Sequence, residues 1–361
     1  MIRILHTESS KGWGGQEIRI IQEAIGIRKR GYEVIIAAEK DSQILKRASE
    51  LNFEIFPISF SKYNPQSFLK IKSLIEKLGI HVLNTHSSKD SWIATIAAKI
   101  LSKKKIKVIR TRHLSTLIKN NFLNKILYDI LTDFIITTGE QIKNRMVNEN
   151  KFNEKKIISI PTGVDIEKFN PDRFQLNKKK NEFSVGAVGV LRSWKGHNYL
   201  IDAIPSIIRE IPNLKIYIVG DGPQRENLEK KIRTLHVEKW VELTGHREDI
   251  PDVLASLDVV IHPSYANEGV PQVVLQALAM EKAVIASDIE CINEVVINNK
   301  TGILIKPKNV EAISKSILSL YKNKNLRKEL GEKGRRFVVE NYSYDKMLDK
   351  LEKLYEKLLR N

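Results

Sequence analysis

The chain has 361 residues, 42% hydrophobic and 29% charged, which suits a soluble protein with two domains that each bury a core. No apolar run approaches the roughly 20 residues of a bilayer span, and the single cysteine, Cys291, excludes an intramolecular disulfide and a cysteine-based structural zinc site, fitting a reducing cytoplasm. The net charge of +17 divides as +11 over residues 1–172 and +6 over the rest, and it fits nucleic acid, an anionic membrane, anionic small molecules, or a lysine-rich composition with no partner.

The opening residues Met-Ile-Arg-Ile-Leu-His-Thr read as a short strand and not as a signal peptide, because they lack a long apolar region and a small-residue cleavage site. Strands are expected at 3–6, 33–37, 54–57, 82–85, 107–111, 134–137 and 156–160, with helices between them at 16–29, 66–78, 92–101 and 141–148. Strict alternation predicts βαβ crossovers and a parallel sheet. Residues 161–181, with Pro161, Gly163, Pro171 and three consecutive lysines, break the rhythm. That places an N-terminal acceptor-side domain at 1–172 and a linker at 173–182.

Alternation then restarts, with strands expected at 183–190, 214–219, 240–243, 259–262, 283–286 and 302–305. Helices are expected at 198–209, 225–235, 250–255, 271–280 and 310–320, which gives a nucleotide-binding domain at 183–340. Two helices close the chain at 325–340 and 344–359. The last carries Met347, Leu348, Leu351, Leu354, Tyr355 and Leu358 on one stripe, so residues 341–361 are expected to pack back on the N-terminal domain. The expected fold class is α/β, two Rossmann-like doubly wound parallel sheets facing across a cleft. Ligands of such sheets bind at the carboxyl ends of the strands.

Chemistry should therefore sit just after strands. The first strand leads into Gly12, Gly14 and Gly15 and then a helix, where backbone can approach a ligand and an anion is favoured. The spacing is not the dinucleotide fingerprint, and an ordinary flexible loop accounts for it as well. His86 and His113 follow two strands, with Arg110 and Arg112 beside the second. They lack metal-ligand spacing, so hydrogen bonding to substrate is the preferred reading, with His86 and Arg112 as acceptor-side candidates. In the second half, Arg192 and Lys195 lie in a loop between Gly189 and Gly196, a natural pair for a diphosphate. Gly222, in Val-Gly-Asp-Gly-Pro, and Arg247 are further donor-side candidates.

The most informative segment follows strand 259–262. Glu268 and Gly269-Val270 precede Pro271, which suits a first helical turn, and Gln276 lies about two turns on. A carboxylate there can hold sugar hydroxyls, the N–H groups of Gly269 and Val270 a phosphate, and Gln276 a ribose. An exposed glutamate before a helix could equally serve only the helix dipole.

Taken together, Gly14-Gly15-Gln16-Glu17, His113, residues 160–171, Lys195-Gly196, residues 220–223 and residues 268–276 resemble glycosyltransferase family 4 nearly end to end. These are the retaining GT-B enzymes that include bacterial lipopolysaccharide and capsule sugar transferases. The resemblance implies that Gly14 and Gly15 border the donor diphosphate and acceptor, that His113 contacts the transferred sugar, that Lys195 binds the diphosphate, and that Glu268 binds sugar hydroxyls. Two positions depart from the pattern. Val190 stands where the family often has arginine, leaving Arg192 as the nearest one, and Gln276 stands for the family's second glutamate.

The implied activity is transfer of a hexose-type sugar from a nucleotide sugar, such as a UDP- or GDP-sugar, to a glycan or lipid-linked acceptor in cell-surface polysaccharide synthesis. It implies retention of configuration and no metal or other cofactor, and the chain contains no Asp-x-Asp. Residues 117–134 have near-helical apolar spacing with Lys119 and Lys125 among them and Lys103-Lys104-Lys105 upstream. A helix packed on its own sheet accounts for that pattern, and a cytoplasmic enzyme peripheral on an anionic membrane is the other reading. A sugar-nucleotide epimerase of the same fold is the alternative. A nucleic-acid binder is disfavoured, since aromatic residues are only 7% and form no stacking platform beside the basic stretches.

Overall fold

The computed structural model describes residues 1–61, 64–113, 116–174, 181–266 and 269–360. The chain divides into two compact units, one made of residues 1–162 with 345–361 and the other of residues 163–344.

In the first unit the strands are β1 (Arg3–Glu8), β2 (Glu33–Ala38), β3 (Glu54–Pro57), β4 (Val82–Thr85), β5 (Lys107–Arg112), β6 (Phe134–Thr137) and β7 (Ile157–Ser159). They form one parallel sheet in the order β3-β2-β1-β4-β5-β6-β7. The order runs outward from β1 in one direction and then restarts beyond it, so the topological switch falls between β1 and β4. Leu5, Ile35, Leu83 and Val108 cover one face, packed by Ile71 and Ile75 of the helix Pro65–Lys77 and by Ile93 and Ala94 of the helix Ser88–Ile96. The helix Gln43–Glu50 has no counterpart in the expected elements; it buries only Ile44, Leu45 and Ala48 among charged neighbours, too short a stripe to stand out.

The closing helix Tyr344–Arg360 buries Met347, Leu348, Leu351, Leu354, Tyr355 and Leu358. Tyr355 donates to Glu23 Oε1 at 2.8 Å, and Glu23 is paired with Arg19 at 3.2 Å, both side chains fully buried. Arg19 also donates to the Ile160 carbonyl at 3.2 Å. A buried pair of this kind is costly unless its remaining lone pairs and protons find partners; the last helix supplies one of them, while Arg19 Nη2 has none among the described residues. At the surface, Arg30 bridges Asp349 and Glu352 at 2.7 and 2.8 Å.

In the second unit the strands are β8 (Phe183–Val188), β9 (Leu214–Val219), β10 (Val241–Gly245), β11 (Val259–His262), β12 (Ala283–Ser287) and β13 (Ile303–Ile305), all parallel in the order β10-β9-β8-β11-β12-β13. The switch here lies between β8 and β11. Both faces are covered: Val259 and Ile261 point into one apolar cluster with Leu200, Ile204 and Ile317, while Val260 points into another with Val274 and Leu278. Buried on both sides, the central strands β8, β11 and β12 read as near-continuous apolar runs, as the inner strands of parallel sheets do. The sequence places a boundary at 172 and a linker at 173–182, whereas the division falls at 162–163. Val164 and Phe169 are buried with Leu278 and Val338, and Val164 donates its N–H to the Tyr342 carbonyl at 2.8 Å. Linker residues 175–180 lie outside the described residues.

Candidate functional site

Candidate residues collect at the switch point of each sheet. In the first unit, β1 runs into a loop and then the helix Gly15–Lys29, whose N-cap is Gly14. Glu17 Oε2 accepts the Gly14 N–H at 2.8 Å, the one half of a capping box that a glycine N-cap allows. Gly14 has an extended φ of −156°, and a Cβ on Gly15 would meet nothing within 4 Å. Neither the backbone conformation nor crowding demands glycine here, so the space beside these residues is open. Glu8, at the end of β1, accepts from Ser10 N at 2.7 Å and Ser87 Oγ at 2.5 Å, and Gln16 donates to both Glu8 and Ser87.

His86 directly follows β4 and His113 directly follows β5, and the two imidazoles meet: His86 Nδ1 lies 2.9 Å from His113 Nε2. A third ring completes a row, with His6 Nδ1 2.9 Å from His86 Nε2. Burial lowers the pKa of His6, takes that of His86 well below the usual imidazole value, and brings His113 down to about 3, with Arg19 and Arg112 adding to the effect at His113. The rings are neutral hydrogen-bonding groups at neutral pH. Asp90 accepts from His86 N, Ser87 N and Thr7 Oγ1, each at 2.9 Å. Burial, with Glu8 nearby, raises its pKa to about 8. Arg112 is half-buried and donates to Thr116 Oγ1 at 2.8 Å, while Arg110 is buried with its guanidinium 4.6 Å from the Tyr128 ring centre.

His6 is the member of the histidine row that its sequence context does not single out. The available signal was strand parity: one histidine at or near the carboxyl end of each of three strands. It becomes readable only once β1, β4 and β5 are known to be neighbours.

In the second unit, the loop after β8 carries exposed Arg192, whose guanidinium lies 5.0 Å from the Trp194 ring centre, and half-buried Lys195 in the turn Ser193–Lys195. Gly196 follows with φ of 72°, and a Cβ there would stand 2.1 Å from the Pro263 carbonyl oxygen. The backbone contact is possible only for glycine. Tyr265 N donates to the Trp194 carbonyl at 2.8 Å, so the loops after β8 and β11 are joined at two places. The helix Gln272–Ala279 begins at the second loop, with Pro271 as its N-cap and not, as expected, inside the first turn. Gly269 and Gln276 are half-buried, and Val270 is buried. Glu268 and Asn267 lie outside the described residues.

Two donor-side candidates take a different meaning. Gly222 has φ of 153°, and a Cβ would collide with Leu191 N and O at 2.9 and 2.8 Å. Its N–H is taken by Asp221 Oδ1 at 2.7 Å. Gly222 thus lets the loops after β8 and β9 touch, and that contact accounts for the glycine without a ligand. Arg247 is exposed and makes a bidentate pair with Asp249, one arm at 2.7 Å, so its guanidinium is engaged locally. Among the described residues, no group of three or more His, Cys, Asp or Glu is placed to hold a metal ion.

Residues 168–337 match the family described as glycosyl transferases group 1, and residues 13–168 match glycosyltransferase family 4. The chain is 31% identical to an uncharacterized glycosyltransferase of Methanocaldococcus jannaschii over 78% of this chain and 75% of that one. It is 26% identical to the capsular polysaccharide biosynthesis glycosyltransferase CapM of Staphylococcus aureus over 92% of each. A crystal structure of a glycosyltransferase from Rickettsia africae matches with a TM-score of 0.90 at 23% identity, over 100% of this chain and 99% of that one. Anabaena HepE in complex with UDP-glucose matches with a TM-score of 0.84 at 19% identity, over 99% and 100%. At these identities the structural likeness speaks to the fold, the two parallel-sheet domains of GT-B glycosyltransferases.

Proposed function

We propose a function whose premise is family: the chain belongs to glycosyltransferase family 4, and it is a glycosyl-transferring enzyme. On that premise it moves a hexose-type sugar from a nucleotide sugar to a glycan or lipid-linked acceptor in cell-surface polysaccharide synthesis, with retention of configuration and without a metal. The observation that carries the donor assignment is the junction at the β8/β11 switch point. Gly196 against Pro263 and Tyr265 N on the Trp194 carbonyl fix the Lys195 turn beside the loop that leads into the helix Gln272–Ala279. Lys195, Arg192 and the helix's first-turn amides then form a preorganised anion site for a diphosphate leaving group. Glu268 holds sugar hydroxyls and Gln276 the ribose. In the first unit, Gly14 and Gly15 leave room for substrate, and His113 offers the sugar a neutral hydrogen-bonding ring. A UDP-sugar is the first donor to test, since one structural neighbour was solved with UDP-glucose.

A panel of UDP- and GDP-sugars checks the reading. The true donor raises Tm by mass action, by about 2.7 kcal/mol of stability at a hundredfold excess over Kd. Turnover in EDTA and an α-linked product from an α-linked donor are expected. No stabilisation by any nucleotide sugar removes the donor site, and an inverted linkage in the product NMR removes retention.

A peripheral membrane role has its own support. Leu117, Phe122, Leu123 and Ile130 are 60–76% exposed, while within residues 117–131 only Leu127 and Tyr128 are buried. The helical residues 122–131 therefore pack by one narrow edge and turn Phe122, Leu123 and Ile130 outward beside exposed Lys125, while Leu117 and exposed Lys119 lie in the non-helical segment just before them. Lys103-Lys104-Lys105 do not belong to this face. They precede β5 while residue 117 follows it, about 17 Å away at six residues of strand. The protein is expected to float with phosphatidylglycerol vesicles, and Phe122→Glu with Leu123→Glu to abolish flotation. Equal flotation of the double variant would place the contact elsewhere. Among the described residues no helix is long and apolar enough to cross a membrane.

A further inference from the structure

The three imidazoles of the first unit form a chain that spans its switch point. His6 comes from β1, His86 from the end of β4 and His113 from the end of β5, three adjacent strands. Their exposures are 0%, 5% and 9%. Both links are 2.9 Å, from His6 Nδ1 to His86 Nε2 and from His86 Nδ1 to His113 Nε2.

A neutral imidazole has one N–H and one lone pair. Each link is a hydrogen bond only if one ring donates and the next accepts, so three neutral rings in series share one polarity. Fixing the proton on any ring fixes it on all three. Two polarities exist. In the first, every ring carries its proton on Nε2, donation runs from His113 toward His6, and the last N–H is His6 Nε2–H. That nitrogen is buried with no hydrogen-bond partner among the described residues. In the second, every ring carries its proton on Nδ1, donation runs from His6 toward His113, and only a lone pair is left at His6 Nε2. Orphaned buried N–H groups are the rarer and more costly case, so the second polarity is favoured.

We propose that His6 and His86 are positioning residues that hold His113 in the Nδ1–H tautomer, so that outside the chain His113 presents a hydrogen-bond donor and no lone pair. This rests on reading His113 as a sugar contact: the sugar oxygen it meets is then an acceptor. His86 has both ring nitrogens engaged inside the chain and acts through His113. A proton added to His86 or His113 would set N–H against N–H unless the rings before it switch tautomer, one added at His6 Nε2 would be a buried N–H without a partner, and burial opposes the charge in each case.

The test is long-range proton–nitrogen NMR of the full chain labelled at histidine nitrogens, with assignments from single substitutions. Nδ1–H at His6, His86 and His113 is the expected result; Nε2–H at His113 overturns the proposal. His6→Leu removes the first donor, two links from the free side of His113. It should leave the fold intact, convert His113 to a tautomer mixture and lower kcat about fivefold with donor KM unchanged. His6→Asn, whose amide can stand in for Nδ1–H, should restore both. A folded His6→Leu protein whose His113 signals match wild type sinks the relay. Should His6→Leu fail to fold, the wild-type spectrum and His6→Asn decide. If the tautomers are as stated but no nucleotide sugar moves the His113 signals, the relay stands and the sugar contact falls.

Discussion

Lys195→Ala lowers kcat/KM for the nucleotide-sugar donor by about 100- to 1,000-fold, the usual cost of removing one preorganised donor from a developing negative charge. The effect should fall mainly on kcat, because charge on the leaving diphosphate grows as the glycosidic bond breaks and an interaction that strengthens toward the transition state is lost there. Lys195 is half-buried in a turn whose conformation is held by Gly196 and by the Trp194 carbonyl, so its removal leaves the turn's backbone contacts in place. Tm should therefore stay near wild type. Lys195→Arg should recover part of the loss, since a guanidinium keeps the charge but not the shape. Glu268→Ala is expected to match Lys195→Ala in severity, through loss of sugar-hydroxyl contacts. Full activity in either folded variant removes that residue from the site.

The second large effect is structural. A chain ending at Tyr344 should lose the native state of the first unit while retaining the sequence of all seven of its strands. The missing segment buries Met347, Leu348, Leu351, Leu354, Tyr355 and Leu358. At about 1.5–3 kcal/mol per buried side chain, and with a discount for a compact unfolded state, the loss is on the order of 10 kcal/mol. A whole domain is stable by only about 5–15 kcal/mol. The truncation also uncovers the Arg19–Glu23 pair and deletes the Tyr355 donor to Glu23. The Arg30 links to Asp349 and Glu352 are partly exposed and add little. Hydrogen exchange should show β1, β4 and β5 unprotected in the truncated chain. In the full-length chain, Leu351→Ala should cost about 2–5 kcal/mol. Native protection of those strands without the last helix would show that the first unit is self-sufficient.

Much of this is legible in the amino-acid sequence. Alternating apolar runs and turn signals place the thirteen strands of the described residues, because parallel strands buried on both faces leave a strong local signal. The stripe from Met347 to Leu358 likewise announces a buried face, though not what it meets. What stays hidden depends on which strands are neighbours. Gly222 and Gly196 have the same local look as ligand-approach glycines, yet their side-chain positions are filled by the Leu191 and Pro263 backbones of adjacent loops. Arg247 is hidden for a local reason: Asp249 stands only two residues on, and the loop's conformation is what brings it into the guanidinium fork. His6 looks like an ordinary strand residue until β4 is laid beside β1. The sequence order of strands is local information, while the spatial order of strands is not.

The division of the chain at 162 and 345 has a consequence for how the protein is made. The unit begun first is completed last: about 180 residues separate its seventh strand from the helix that covers Arg19 and Glu23. At synthesis rates of about 5–20 residues per second, that sheet waits roughly 10–40 s with a charged pair uncovered and apolar surface exposed. The second unit is continuous in sequence and has no such wait. A chain stopped at Tyr344 is therefore also a snapshot of that interval, the moment at which a growing polypeptide most needs protection from its neighbours.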